Sequence, residues 1–149
     1  MNVLRNYPYW PVVAVLGALA FGFGIFVWAL GGRQWLLDTS LTQQGASKTI
    51  GEMSPRQRNL HFWMTLTLDS LFPITYGLLL AQFAAKSGCS GWWLALPAIA
   101  VACDYTENAA HLIALRKQDA VHAIKSLVSP AKFAAIILSI AASVITRFG

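Results

Sequence analysis

The chain alternates four long apolar stretches with three polar breaks. The apolar stretches run from Pro11 to Leu30, from about Phe62 to Phe83, from Trp92 to Ile113, and from Phe133 to Ile145. A helix that crosses a bilayer needs about 20 apolar residues at about 1.5 Å of rise each. The first three stretches meet that length, and the fourth meets it when it starts at Pro130 and runs to Phe148. The pattern predicts an all-α integral membrane protein, a left-handed antiparallel four-helix bundle. It forms one domain over residues 1–149, with spans near 11–30, 60–84, 91–114 and 130–147 and a polar loop over 33–54.

Local signals sharpen the boundaries. Ser54-Pro55 and Ser129-Pro130 each place a capping hydroxyl before a proline, which predicts helix starts at both. The second helix then begins ahead of the membrane, near Pro55, and continues to about Lys86. Pro73 inside it predicts a kink. The short turn Lys86-Ser87-Gly88-Cys89-Ser90 makes the second and third helices antiparallel neighbours. Residues 38–53, DTSLTQQGASKTIGEM, read as irregular, with one surface helix around Gln34 to Leu41. The loop from Leu115 to Val128 is mildly basic and contains His122. The first stretch exceeds the roughly 7–15 apolar residues of a signal peptide and ends in a Gly31-Gly32 turn, so it reads as a mature helix. Small residues at spacing four, Ala14, Ala18 and Gly22 in the first helix and Ala135, Ser139 and Ser143 in the last, predict close helix packing.

Composition agrees with a membrane setting. Charged residues make up 11% of the 149, against roughly 25% in a soluble domain. Mean hydropathy is +0.54, which excludes a disordered chain. The net charge of +5 does not point to nucleic acid, because the 11 Lys and Arg form no stripe. It points instead to topology and to contact with anionic lipid. The first and third loops carry Arg33, Lys48, Arg56, Arg58, Arg116, Lys117 and Lys125, against Arg5, Lys86 and Arg147 on the opposite side. That bias places the two loops in the cytoplasm and both termini outside. Cys89 and Cys103 have no zinc spacing and read as free thiols.

The candidate chemistry lies in the acids. Only six acidic residues are present, and three of them, Asp69, Asp104 and Glu107, fall inside apolar stretches. An Asp at the centre of a span costs roughly 2.5–3.5 kcal/mol. Arg58, His61, Thr65 and Tyr76 lie within about 80° of Asp69 around their helix axis. In the third stretch the run D-Y-T-E-N-x-x-H puts Asp104 and His111 nearly in line, with Glu107 and Asn108 flanking them. Lipid cannot satisfy either stripe, so both should face inward. In a hairpin centred near Gly88, Asp69 is level with Glu107 and Asn108, and Thr65 with His111. One cluster results, about 10 Å below the surface of the first and third loops. Lys132 either snorkels to the interface or reaches into it.

Three functions fit this pattern. In the first, the protein is an enzyme or binding protein for a lipid or other amphipathic molecule. Asp69, Asp104, Glu107 and His111 are then its candidate catalytic groups, and Arg58, His61, Tyr76 and Asn108 its substrate-binding groups. In the second it is a non-catalytic accessory or assembly subunit of a larger membrane complex, its cluster only a polar clasp. Membrane lipid and a homo-oligomer or larger membrane complex are the partners expected. In the third it relays protons or ions. Asp69, Asp104, Glu107 and His111 are also the candidate metal ligands, although the repeated E-x-x-H of di-iron bundles is absent. Haem ligation by His61 and His111 is a weak signal, since it rests on a lone pair of histidines.

Overall fold

The computed structural model of the protein describes residues 2–37, 43–117 and 125–148. Its helices are α1 (Asn2–Asn6), α2 (Trp10–Leu30), α3 (Gln43–Glu52), α4 (Pro55–Lys86), α5 (Leu96–Lys117) and α6 (Lys125–Phe148). Short 3-10 turns occur at Arg33–Trp35 and Gly91–Ala95, and no strand occurs among the described residues. Three helices are long and apolar enough to cross a membrane: α2, α4 and residues Ser126–Phe148 of α6. The third apolar stretch does form a helix, but α5 is not among these three. Asp104, Glu107, Asn108 and His111 dilute its hydropathy although its 22 residues would reach about 33 Å.

α4 is the organising element. It packs against α2, α5 and α6, and α5 packs against both α4 and α6. α2 leans on α4 and makes at most isolated contacts with α5 and α6. The antiparallel register of α4 and α5 follows the level pairing read from the turn at Gly88. Side chains join residue 69 to 108, 70 to 105 and 76 to 100 across the two helices. The helices approach closely at Gly77, where a Cβ would collide with the Val101 side chain.

The start of α4 is capped as its sequence predicts. Ser54 Oγ accepts from the Gln57 N–H, and Gln57 Oε1 accepts from the Ser54 N–H. The other half of the same amide caps α2, since Gln57 Nε2 donates to the Leu30 carbonyl at 2.9 Å. At the far end, Gly88 adopts φ +86°, and the Cys89 N–H returns to the Ala84 carbonyl.

Four expectations need correction. The polar first loop is not irregular throughout, because residues 43–52 form α3. Ala46, Ile50 and Met53, at spacings of four and three, bury a narrow apolar strip against Leu37, Ala114 and Leu115. A strip this thin is hidden in composition by the polar face around it. The surface helix expected around Gln34 to Leu41 is a 3-10 turn at Arg33–Trp35, and residues 38–42 lie outside the described residues, as does His122. Ser129-Pro130 does not start a helix, because α6 begins at Lys125 and Pro130 lies inside it. The Ser129 hydroxyl donates to Glu107 instead of capping, a bond strengthened by the charge of its acceptor. Of the small residues in α2, Ala14 and Ala18 are exposed, while Gly22 abuts Leu68 of α4. In α6 the buried face does carry Ala135, Ser139 and Ser143.

Candidate functional site

Pro73 prepares the site by removing a hydrogen bond. It has no N–H, so the carbonyl of Asp69, four residues earlier, loses its helical donor. Asn108 Nδ2 supplies a replacement, donating to the Asp69 carbonyl at 2.8 Å. Tyr105 donates its hydroxyl to the neighbouring Ser70 carbonyl at 2.6 Å. An unsatisfied carbonyl in an apolar setting would cost about 1–3 kcal/mol, so the weakened turn of α4 is locked to α5. Asn108, expected to bind substrate, thus has a structural task as well.

Lys132 of α6 is the centre of the charge cluster. Its ammonium donates to Asp104 Oδ1 at 3.0 Å and to Glu107 Oε2 at 2.7 Å. The remaining carboxylate oxygens are also engaged. Tyr76 donates its hydroxyl to Asp104 Oδ2 at 2.8 Å, and Ser129 donates to Glu107 Oε1 at 2.9 Å. The three charged side chains are only 4–15% exposed. Such a pair of carboxylates in low dielectric needs a compensating cation, and Lys132 provides it. Of the two placements open to Lys132, the structure shows the inward one. Among the described residues no three of His, Cys, Asp and Glu come together as a metal site.

Beside this network a cleft of about 310 Å³ opens between α2 and α6. Ala20, Phe23, Phe72 and Pro73 form its apolar walls. Asp69, Asp104, Asn108 and Lys132 form its polar head. α2 rests on α4 without packing closely against α6, which leaves the gap between them. Glu107 lies behind this surface, buried at 3% exposure and reached through Lys132.

No family model, characterised protein or solved structure matches the chain. The site has to be read from its own atoms.

The sequence-predicted residues divide into groups. Asp69, Asp104 and Asn108 line the cleft, and Glu107 and Tyr76 bond to groups that do. His111 is fully buried within α5. His61 is fully buried too, but it serves the first loop. Its Nε2 accepts from the Leu37 N–H at 3.2 Å, so its proton lies on Nδ1, 3.3 Å from Thr65 Oγ1. With both ring nitrogens engaged, His61 is not poised as a haem ligand. Arg58 faces a separate groove, where its Nε donates to the Met53 carbonyl. Lys132 takes the inward of its two expected placements, whereas Ser129 was read only as a helix cap. A signal for Ser129 was present, for it stands three residues from Lys132 on one face of α6.

The arrangement can do two things chemically. Its apolar walls and polar head suit a molecule that is itself half apolar. Asp104 holds both a phenol and an ammonium at the cleft surface, so proton donors and an acceptor stand side by side there.

Proposed function

We propose that this is a four-span integral membrane protein that binds an amphipathic, membrane-dissolved molecule, a lipid or a compound of similar build. In this reading α5 crosses with the other three helices, its polar face turned toward α4 and α6. The first and third loops face the cytoplasm and both termini lie outside, as the Lys and Arg bias favours. The observation that carries the reading is the cleft, apolar along its walls and headed by Asp69, Asp104, Asn108 and Lys132. A molecule entering from the bilayer keeps its apolar part against Phe23 and Phe72. Its head meets carboxylates and an ammonium that are already in place. Lys132 is already shared by Asp104 and Glu107, and Asp69 adds a further acid to the lining, so the head favours a ligand bearing hydroxyl or amine donors. Any chemistry done there would be proton transfer through Asp104, with Tyr76 and Lys132 as its partners.

The test compares two substitutions. Ala20→Phe fills the cleft without touching the charge network, and Asp104→Asn alters the polar head. Each variant is purified in mild detergent and its co-purifying small molecules are identified by mass spectrometry. Lipid extracts of cells carrying each variant are compared with those of a deletion strain. Loss of the same compound from both purified variants supports the reading. No change in any co-purifying compound or lipid pool overturns it.

A second reading has its own observation. Lys132 ties α6 to two acids of α5, which is what a polar clasp in an accessory subunit would do. That reading expects stable co-elution with a larger complex and a cleft that holds nothing.

A further inference from the structure

Outside the cleft, a second concavity lies at the loop end of α4 and α5. It measures about 230 Å³ and is lined by Arg58, Asn59, Phe62 and Trp63 of α4 and by Leu115 and Arg116 of α5. Arg58 stands eleven residues before Asp69, so the groove lies roughly 16 Å along the helix from the acids of the cleft. Two cations line it, and among the described residues neither meets a carboxylate. Both are held in place by other means. Arg58 Nε donates to the Met53 carbonyl at 3.2 Å, which leaves its two terminal amino groups for a ligand. The Arg116 guanidinium lies 4.6 Å from the centre of the Phe62 ring.

We infer that this groove binds the phosphate of an anionic phospholipid headgroup. Two guanidinium groups with no acidic partner among the described residues match an anion, and their planar donors suit phosphate oxygens. The volume is several times the ~30 Å³ share of one water, so there is room for a headgroup. Three features favour a lipid over free phosphate. Trp63 is 51% exposed at the rim, as aromatic side chains are at a membrane–water boundary. Toward the membrane middle, Leu66 on α4 and Ile113 on α5 are exposed and can carry acyl chains. The loops at this end also hold most of the chain's Lys and Arg, which favours an anionic leaflet. The site is distinct from the cleft, whose polar head is acidic.

The experiment offers the detergent-purified full chain equal amounts of phosphatidylglycerol and phosphatidylcholine and counts retained lipid by native mass spectrometry. The expected result is a preference for phosphatidylglycerol that falls about thirtyfold in the double variant R58Q/R116Q. R58K/R116K keeps the charge and should keep part of the preference. R56Q, exposed in the same helical turn but outside the groove, should leave it unchanged. Ala20→Phe should leave it unchanged too, which separates this site from the cleft. Equal retention of the two lipids by the unaltered chain overturns the inference, as does a preference that survives R58Q/R116Q. Displacement by inorganic phosphate at matching concentration overturns the lipid as occupant. Should R58Q/R116Q fail to fold, the unaltered chain is photo-crosslinked with phosphatidylglycerol carrying a diazirine near the headgroup. Adducts mapping to residues 57–66 and 112–116 support the inference, and adducts confined elsewhere overturn it.

Discussion

α2 and α5 are nearly equal in length, 21 and 22 residues, and opposite in what they hide. α2 is apolar on all sides and mostly exposed, with Trp28 at 83% and Phe21 at 74%. It contacts α4 along one edge and holds no ionisable residue. α5 carries Asp104, Glu107, Asn108 and His111, and it is wedged between α4 and α6. A helix surrounded by lipid can be apolar everywhere, since hydrocarbon asks nothing of its side chains. A helix with buried acids has to be enclosed by partners that satisfy them. The cleft forms where the two kinds of surface meet, with α2 supplying an apolar wall and α5 the polar head.

The contrast is most open to attack at Lys132. Lys132→Met removes the cation from two buried carboxylates and should destabilise the protein by about 3–5 kcal/mol. Unfolding in mixed micelles measures this. Adding Asp104→Asn and Glu107→Gln to Lys132→Met should recover much of the loss, because no uncompensated charge then remains. Full stability of Lys132→Met alone would mean that α5 is not charge-locked.

The link between α4 and α5 is tested by a double-mutant cycle. Asn108→Leu should cost about 1–3 kcal/mol, since it strands the Asp69 carbonyl that Pro73 leaves open. In a Pro73→Ala background the helix regains its own N–H donor, and the same substitution should cost less than about 1 kcal/mol. Equal costs in both backgrounds would refute the link.

Glycines separate the crowded interface from the exposed helix. Gly77→Ala forces a methyl group into the Val101 side chain and should cost about 1–3 kcal/mol. Gly24→Ala on α2 meets nothing within 4 Å and should be neutral or slightly stabilising, as Ala favours helix over Gly. The smallest effect is expected at Trp28. Trp28→Ala should change unfolding by no more than about 0.5 kcal/mol, because that side chain packs mainly against the surroundings. A large loss there would reveal a protein partner on α2.

The apolar runs, the helix turn at Gly88 and the capping hydroxyl of Ser54 were legible from residues alone. Each depends on neighbours in the chain, or on a periodicity that the chain carries with it. The depth pairing of α4 and α5 was legible for the same reason, since a short turn leaves little freedom of register. The short apolar strip of α3 and the residue after it was not, because Ala46, Ile50 and Met53 gain their meaning only from Ala114 and Leu115 far along the chain.

Residue order therefore decided that the chain is helical and apolar enough for a membrane, and that Asp69, Asp104 and Glu107 sit in costly places. It did not decide which groups answer those charges. Lys132 could have snorkelled outward, and Ser129 could have capped a helix. Arg58 and His61 share a face with Asp69, yet one lines a separate groove and the other holds the Leu37 backbone. The packing of α6 against α5 made these choices by bringing Lys132 and Ser129 onto Glu107. Helical periodicity sets the side of a helix on which a side chain stands. Its partner is set by where the other helices lie, and that is a property of the assembled bundle.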